Sequence, residues 1–270
     1  MAFVRVEAIY VYPVKSLRGI RLNDSTFGSR GLTFDRRWMV VDGSGAFLSQ
    51  RSHPKMATIR TCLDSDVLML YAGTDSVTVP TDFAGRPGVV RVWKTECLGN
   101  YVGEPADRVL SDWLGVQCHL VAMPDTTERK PNSPFAWDGD RVGFADSSPI
   151  LVVGTGSLGD LNARLDRAVP MERFRPNLVI DGTTPWEEDG WRTVELAGSE
   201  FHFLKRCGRC IMTTLDHETG ERQGEEPLRT LAKFRHFDGN VCFGSYFAAG
   251  QPGSVRVGDE VVVKEKTPLD

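Results

Sequence analysis

No apolar run in the sequence approaches the roughly 18 residues that a helix needs to cross a bilayer, so no membrane-spanning helix is expected. The opening stretch, MAFVRVEAIYVYPVKS, lacks the basic segment, long apolar core and small-residue cleavage site of a secretory leader. A cytoplasmic chain with no membrane partner is the expectation. An excess of basic charge is missing too: 32 Lys and Arg stand against 36 Asp and Glu. That balance excludes the broad cationic surface of a nucleic-acid binder, and any anion site must be a local pocket. Histidine is scarce. His53, His119, His202, His217 and His236 show none of the close His–His spacing of a zinc finger. Six cysteines in 270 residues do not make a disulfide framework, and a cytoplasm would keep them reduced. Cys62, Cys97, Cys118 and Cys242 sit in mixed apolar surroundings and read as small buried hydrophobes. Internal repeats and low-complexity tracts are absent.

What remains is ordinary globular material, 41% hydrophobic and 25% charged, enough to bury a sizeable core in one large domain or two small ones. Val4, Val6, Ala8 and Tyr10 alternate before Pro13 and predict a first strand with one apolar face. Asp42-Gly43 between the apolar runs at 38–41 and 47–48 predicts a hairpin. The stretches 57–80 and 88–102 repeat a strand–turn–strand pattern. Frequent short strands broken by Gly, Asp and Ser suggest a barrel or sandwich. Ala106, Val109, Leu110, Trp113 and Leu114 recur at helical spacing, with Gly115 placed to end the helix. Residues 123–141 are polar and rich in Pro, Asp and Asn, which marks a loop suited to a lid or a domain seam. Ile150–Val153 reads as a strand that enters a helix through Gly154-Thr155-Gly156, with Ser157 as the N-cap. Such a turn can aim backbone N–H groups at an anion. Further strands are predicted at 173–182, 201–207, 211–215 and 253–263, and a short helix at 225–234.

The most informative stretch is LKRCGRCIMTTLDHETGER, residues 204–222. Cys207 and Cys210 stand three apart with Arg206 and Arg209 beside them. A structural zinc site needs four ligands, and only this pair is present. A thioredoxin-like dithiol sits at the start of a helix, whereas Ile211–Leu215 reads as a strand. A third reading is a single thiolate favoured by neighbouring cations, a soft ligand for a transition metal. The bland alternative, solvated arginines beside two inert thiols, stays open on this stretch alone.

Eight short motifs then occur in order: YPVKS (12–16), DRRWMVVD (35–42), FLSQR (47–51), FADSSPI (144–150), FRPNLVI (174–180), CGRCIMTTLDHETG (207–220), FGSYF (243–247) and VGDEV (257–261). This series resembles the MOSC family with its N-terminal β-barrel domain, in particular the branch of the amidoxime-reducing components and their bacterial counterparts. The resemblance spans nearly the whole chain. It implies a β-rich α+β fold: an N-terminal barrel-like part at 1–120, with a first strand able to pair into the second part, and a MOSC β-barrel with peripheral helices at 121–265. The cofactor cleft would lie between the two.

The resemblance also implies a molybdenum cofactor, Mo-molybdopterin, with Cys210 as the metal ligand and Asp146 near the metal's open face. Lys15, Ser16, Arg36 and Arg175 would contact the phosphorylated pterin, because ammonium and guanidinium groups match phosphate. Asn177, Gly156, Ser157, Gly208, Arg209 and Tyr246 complete the expected set, and Cys207 would be a structural neighbour. Two departures stand out: Gly208 where relatives often carry Ser, and His217 where they commonly carry Pro. The implied activity is reduction of small N-hydroxylated substrates such as amidoximes, N-hydroxylamines and N-oxides. The protein would be a monomer. It would draw electrons from an external partner such as a ferredoxin, a flavodoxin, or a cytochrome b5-like protein with a flavin reductase. The alternative is a carrier of sulfur or of the cofactor itself, using a Cys210 persulfide.

Overall fold

The computed structural model describes residues 3–64, 66–82 and 84–268. In chain order the first half holds β1 (Arg5–Val11), β2 (Ile20–Leu22), β3 (Asp24–Gly28), β4 (Gly31–Leu32), β5 (Trp38–Val41), β6 (Arg60–Asp64), β7 (Val67–Ala72), β8 (Asp75–Pro80), β9 (Arg86–Val92), β10 (Thr95–Tyr101), α1 (Ala106–Leu114) and β11 (His119–Ala122). β6, β7 and β8 form an antiparallel meander, and β5, β11, β10 and β9 form a four-stranded sheet. Helix α1 buries Ala106, Leu110 and Leu114 against these strands and ends at Gly115, whose φ of 69° a residue without Cβ adopts at little cost. Around Asp42 the turn closes a short hairpin, with backbone bonds from Asp42 N–H to Ala46 and from Leu48 N–H to Val40. The Asp42 carboxylate accepts the N–H groups of Ser44 and Ala46, and a single bridge joins Val41 to Phe47. β5 also runs a ladder along β11.

The second half contributes β12 (Ile150–Gly154), α2 (Thr155–Asn162), β13 (Leu178–Asp181), β14 (Trp191–Leu196), β15 (Ser199–Gly208), α3 (Leu228–Ala232), β16 (His236–Phe237), β17 (Asn240–Ala249), β18 (Gly253–Arg256) and β19 (Val261–Lys266). One sheet runs β19-β14-β15-β17-β12-β13-β1-β2, with β16 added to β17. Backbone hydrogen bonds from Val6 to Asp259 and from Val261 to Val4 bring the approach to β19 round to β1 and curl this sheet into a barrel. Its interior is a cluster that includes Ile9, Phe27, Trp191, Phe201 and Phe247. The first strand is therefore paired with the second half of the chain, through β13. β18 likewise pairs with β3.

Four local expectations are corrected. β1 is buried on both faces, because a bulge between Val6 and Ala8 puts Val6 with Ile9 and Val11 in one cluster. Ala8 and Tyr10 lie in another. Ile211–Thr214 is a 3-10 turn rather than a strand. The hydroxyls of Thr213 and Thr214 reach back to the carbonyls three residues earlier, a local bond that outweighs β-branched propensity. The N-cap of α2 is Gly154, and Ser157 lies inside the helix. The predicted segment 253–263 is also split into β18 and β19.

Candidate functional site

Between the barrel and the four-stranded sheet lies a pocket built from seven separate segments of the sequence. Twenty residues line it, among them Lys15, Ser16, Arg36, Asp146, Arg175, Asn177, Gly208, Arg209, Cys210 and Tyr246. Backbone hydrogen bonds fix the segments to one another: Lys15 N–H to Trp38, Arg36 N–H to Tyr12, Phe144 N–H to Arg36 and Arg209 N–H to Val241. Ser16, Arg36 and Arg175 have φ of 68°, 49° and 55°. Non-glycine residues rarely adopt that region, and backbone strain of this kind gathers at functional sites.

The lining has six cations, Lys15, Arg36, Arg51, Arg173, Arg175 and Arg209, against one carboxylate, Asp146. Beneath them Asp35 takes both carboxylate oxygens to Arg36 Nη1 at 2.7 and 2.6 Å. The guanidinium carbons of Arg36 and Arg175 each lie 4.2 Å from the centroid of the Tyr12 ring. Burial, then the Arg36 charge, lowers the Arg175 pKa to about 10. Arg175 gives Nη1 to the Leu17 carbonyl at 2.7 Å. Among the described residues no carboxylate forms an ion pair with Arg175 or Arg209. Arg209 Nε is buried with no partner. This is a preorganised anion site with donors to spare.

Lys15 is 5% exposed and donates to the Phe144 carbonyl at 2.9 Å and to Asp146. Burial pushes its pKa down, against the pull of Asp146. Burial would raise Asp146, but the Lys15 ammonium, with Arg51 and the Trp93 indole, outweighs it and holds the carboxyl well below its usual range. The two cysteines differ. Cys207 is buried and accepts from Arg209 Nη1 at 2.8 Å. Cys210 is half-buried on the pocket wall. The arginine next to Cys210 in sequence thus reaches the other sulfur. Tyr246 is pushed well above the usual phenol range by burial and then by the Cys207 sulfur.

Two expected site residues lie elsewhere. Gly156 and Ser157 are outside the pocket, because Glu188 already fills the start of α2. Its carboxylate accepts Gly154 N–H at 3.0 Å and Ser157 Oγ–H at 2.7 Å. An incoming anion would meet that carboxylate, so the predicted phosphate contact is withdrawn. Asn177 lines the pocket but its amide is spent internally, donating to Tyr10 and accepting from Leu151 N–H and Arg36. It positions Arg36. Arg51 and Arg173 went unselected in the sequence, although each stands within a motif quoted above or next to one. Arg129, from the 123–141 loop, was missed as well. It shapes the floor by donating to the carbonyls of Gly143, Ala145 and Asp146. Among the described residues no group of three or more His, Cys, Asp and Glu is arranged to hold a metal ion.

Two family profiles match separate stretches of the chain. The profile described as MOSC domain matches residues 139–262, and that described as MOSC N-terminal beta barrel domain matches 3–117. Mitochondrial amidoxime-reducing component 1 of Mus musculus is 35% identical, covering 95% of this chain and 81% of its own. The Homo sapiens protein of the same name is 31% identical, covering 95% and 82%. Molybdenum cofactor sulfurase of Danio rerio is 30% identical, covering 89% of this chain but 31% of the sulfurase.

Proposed function

This chain belongs to the MOSC family, in the form that carries the MOSC N-terminal β-barrel domain, and on that premise we propose that it is a molybdenum-cofactor-dependent reductase of small N-hydroxylated compounds. The observation that carries this reading is the pocket's composition: six cations, one carboxylate and a half-buried cysteine sulfur on one wall. A phosphorylated pterin dithiolene is a polyanion, and the unpaired donors of Arg175 and Arg209 suit it. Cys210 would supply the metal's protein sulfur. Lys15, Arg36, Arg175 and Arg209 would hold the anionic groups, and Ser16 would add a hydroxyl.

When bound, the cofactor supplies two-electron removal of oxygen from nitrogen. The reaction takes two electrons and two protons, breaks the N–O bond and releases water. The protein's part is to bind, orient and position. Lys15 holds Asp146 at the pocket wall, and the depressed pKa of Asp146 keeps it ionised as an acceptor for substrate N–H groups. Electrons would come from an external carrier such as a ferredoxin, a flavodoxin or a cytochrome b5-like protein. Small open substrates and a cytoplasmic setting belong to the same reading. The carrier alternative is less favoured, since the match to the sulfurase covers only 31% of that protein.

The test is elemental analysis for molybdenum together with pterin fluorescence, on protein made in a host that synthesises the cofactor. Near-stoichiometric molybdenum with pterin, lost in Cys210→Ala, is expected. Absence of molybdenum, with a labile sulfane sulfur on Cys210, would overturn the reading in favour of the carrier.

A further inference from the structure

The β9–β10 hairpin turns through two residues, Trp93 and Lys94, since Val92 pairs with Thr95. Trp93 has φ of 57°, a conformation that strongly favours glycine in a tight turn and is an outlier for a bulky side chain. The ring gains little burial in exchange, being 48% exposed. Its contacts all go to the mouth of the pocket. Nε1 donates to Asp146 Oδ1 at 3.1 Å, across 53 residues of sequence. The ring meets Phe47 edge-on, with centroids 5.0 Å apart, and the Arg51 guanidinium lies 4.6 Å from its centroid. Phe47, Arg51 and Asp146 all line the pocket. An exposed tryptophan in a strained turn, tied to the only acid of the pocket, has a placement that folding does not explain.

The two oxygens of Asp146 are not equivalent. Oδ1 receives both Lys15 Nζ and Trp93 Nε1. Oδ2 has one long contact, from Arg51 at 3.5 Å, and retains capacity to accept. A planar head with N–H donors can therefore approach Oδ2 while a flat apolar group beyond it meets the aromatic rim.

We infer that Trp93, with Phe47, forms an aromatic rim that selects N-hydroxylated substrates carrying an aromatic ring, the amidoxime N–H group engaging Asp146 Oδ2 while the ring packs on the indole. The inference rests on the reductase reading and adds to it a specificity-determining residue and a substrate class, aryl amidoximes over alkyl ones. Offset or edge-on aromatic contact makes the indole face the discriminating surface.

The experiment compares benzamidoxime with acetamidoxime on the cofactor-loaded protein, using wild type, Trp93→Ala and Trp93→Phe. For Trp93→Ala, KM for benzamidoxime should rise about three- to tenfold more than KM for acetamidoxime, in line with the loss of an aromatic pair on top of whatever both substrates lose with the Nε1–H bond to Asp146. Trp93→Phe keeps an aromatic face, though a smaller one, and loses the Nε1–H bond to Asp146, so it should retain most of the aryl preference. Calorimetric binding of the two amidoximes to the same three proteins gives a readout that does not need turnover. If the protein binds benzamidoxime in preference and loses that preference in Trp93→Ala, yet reduces neither compound, the rim stands and the reductase reading fails. Equal binding of aryl and alkyl amidoximes by wild type, or an equal loss for both in Trp93→Ala, overturns the rim.

Discussion

Replacing Asp35 with asparagine would remove the counter-charge that underlies the pocket's arginines while leaving the side chain's shape. Asp35 is 4% exposed. It accepts Tyr12 N–H at 2.8 Å and two contacts from Arg36 Nη1. Arg36 in turn shares the Tyr12 ring with Arg175. Breaking a buried ion pair by removing one partner costs about 3–5 kcal/mol. Asparagine keeps an oxygen for Tyr12 N–H, which places the expected loss near the lower end, about 3 kcal/mol. In a chain of this size that corresponds to a fall in melting temperature of roughly 6–12 °C. The assay is thermal unfolding of the cofactor-free protein, with and without millimolar pyrophosphate. An anion seated among Arg36, Arg175 and Arg209 replaces part of the missing charge, so pyrophosphate should narrow the gap between variant and wild type. A variant that melts within about 1 °C of wild type, or one that pyrophosphate stabilises no more than wild type, would refute the idea that Asp35 balances an anion pocket.

Two groups outside the pocket, Glu188 buried and His217 half-buried, predict opposite pH dependences. Burial, then Asp189, raises the Glu188 pKa to about 7. The folded state thus holds this proton more tightly than the unfolded chain, and stability falls as pH climbs from about 4.5 to 7, by about 3 kcal/mol. Glu188→Gln should remove that slope, read as the difference in urea midpoint between pH 5 and pH 8. His217 is lowered to about 4 by burial and then by Arg175 and Arg173. There the unfolded chain takes the proton first, so the stability is present above about 6.5 and is lost as pH falls towards 4. His217→Gln should flatten the acid limb by on the order of 2 kcal/mol, and an unchanged acid limb would count against the assignment.

How legible this was in the sequence varied with the kind of signal. Lys15, Arg36, Arg175, Asp146, Cys210 and Tyr246 stand in short motifs far apart in the chain, and the fold brings all six to one pocket. Their ordered series, rather than any single residue, made them readable. Gly156 and Ser157 were chosen on a local rule about helix starts. That rule cannot see what else arrives there, and Glu188 comes from a turn some thirty residues later. Arg51 and Arg173 look like surface charge by pattern, and only tertiary packing turns them inward. β1 was legible as a strand, but its bulge was not. A single inserted residue leaves the apolar count unchanged while moving Val6 to the opposite face.

The pairing of β1 with β13, and of β3 with β18, bears on how the protein is made. A ribosome releases the amino-terminal strand well over a hundred residues before its partner. Lys15 and Arg36 therefore wait, exposed and unassembled, until the carboxy-terminal strands emerge. Non-local ladders of this kind form late. Each half lends strands to the other, and an anion site whose cations come from residues 15 to 209 is complete only when both are in place. On the function proposed above, loading would follow completion of the chain, and cofactor capture would report on whether the whole protein has folded.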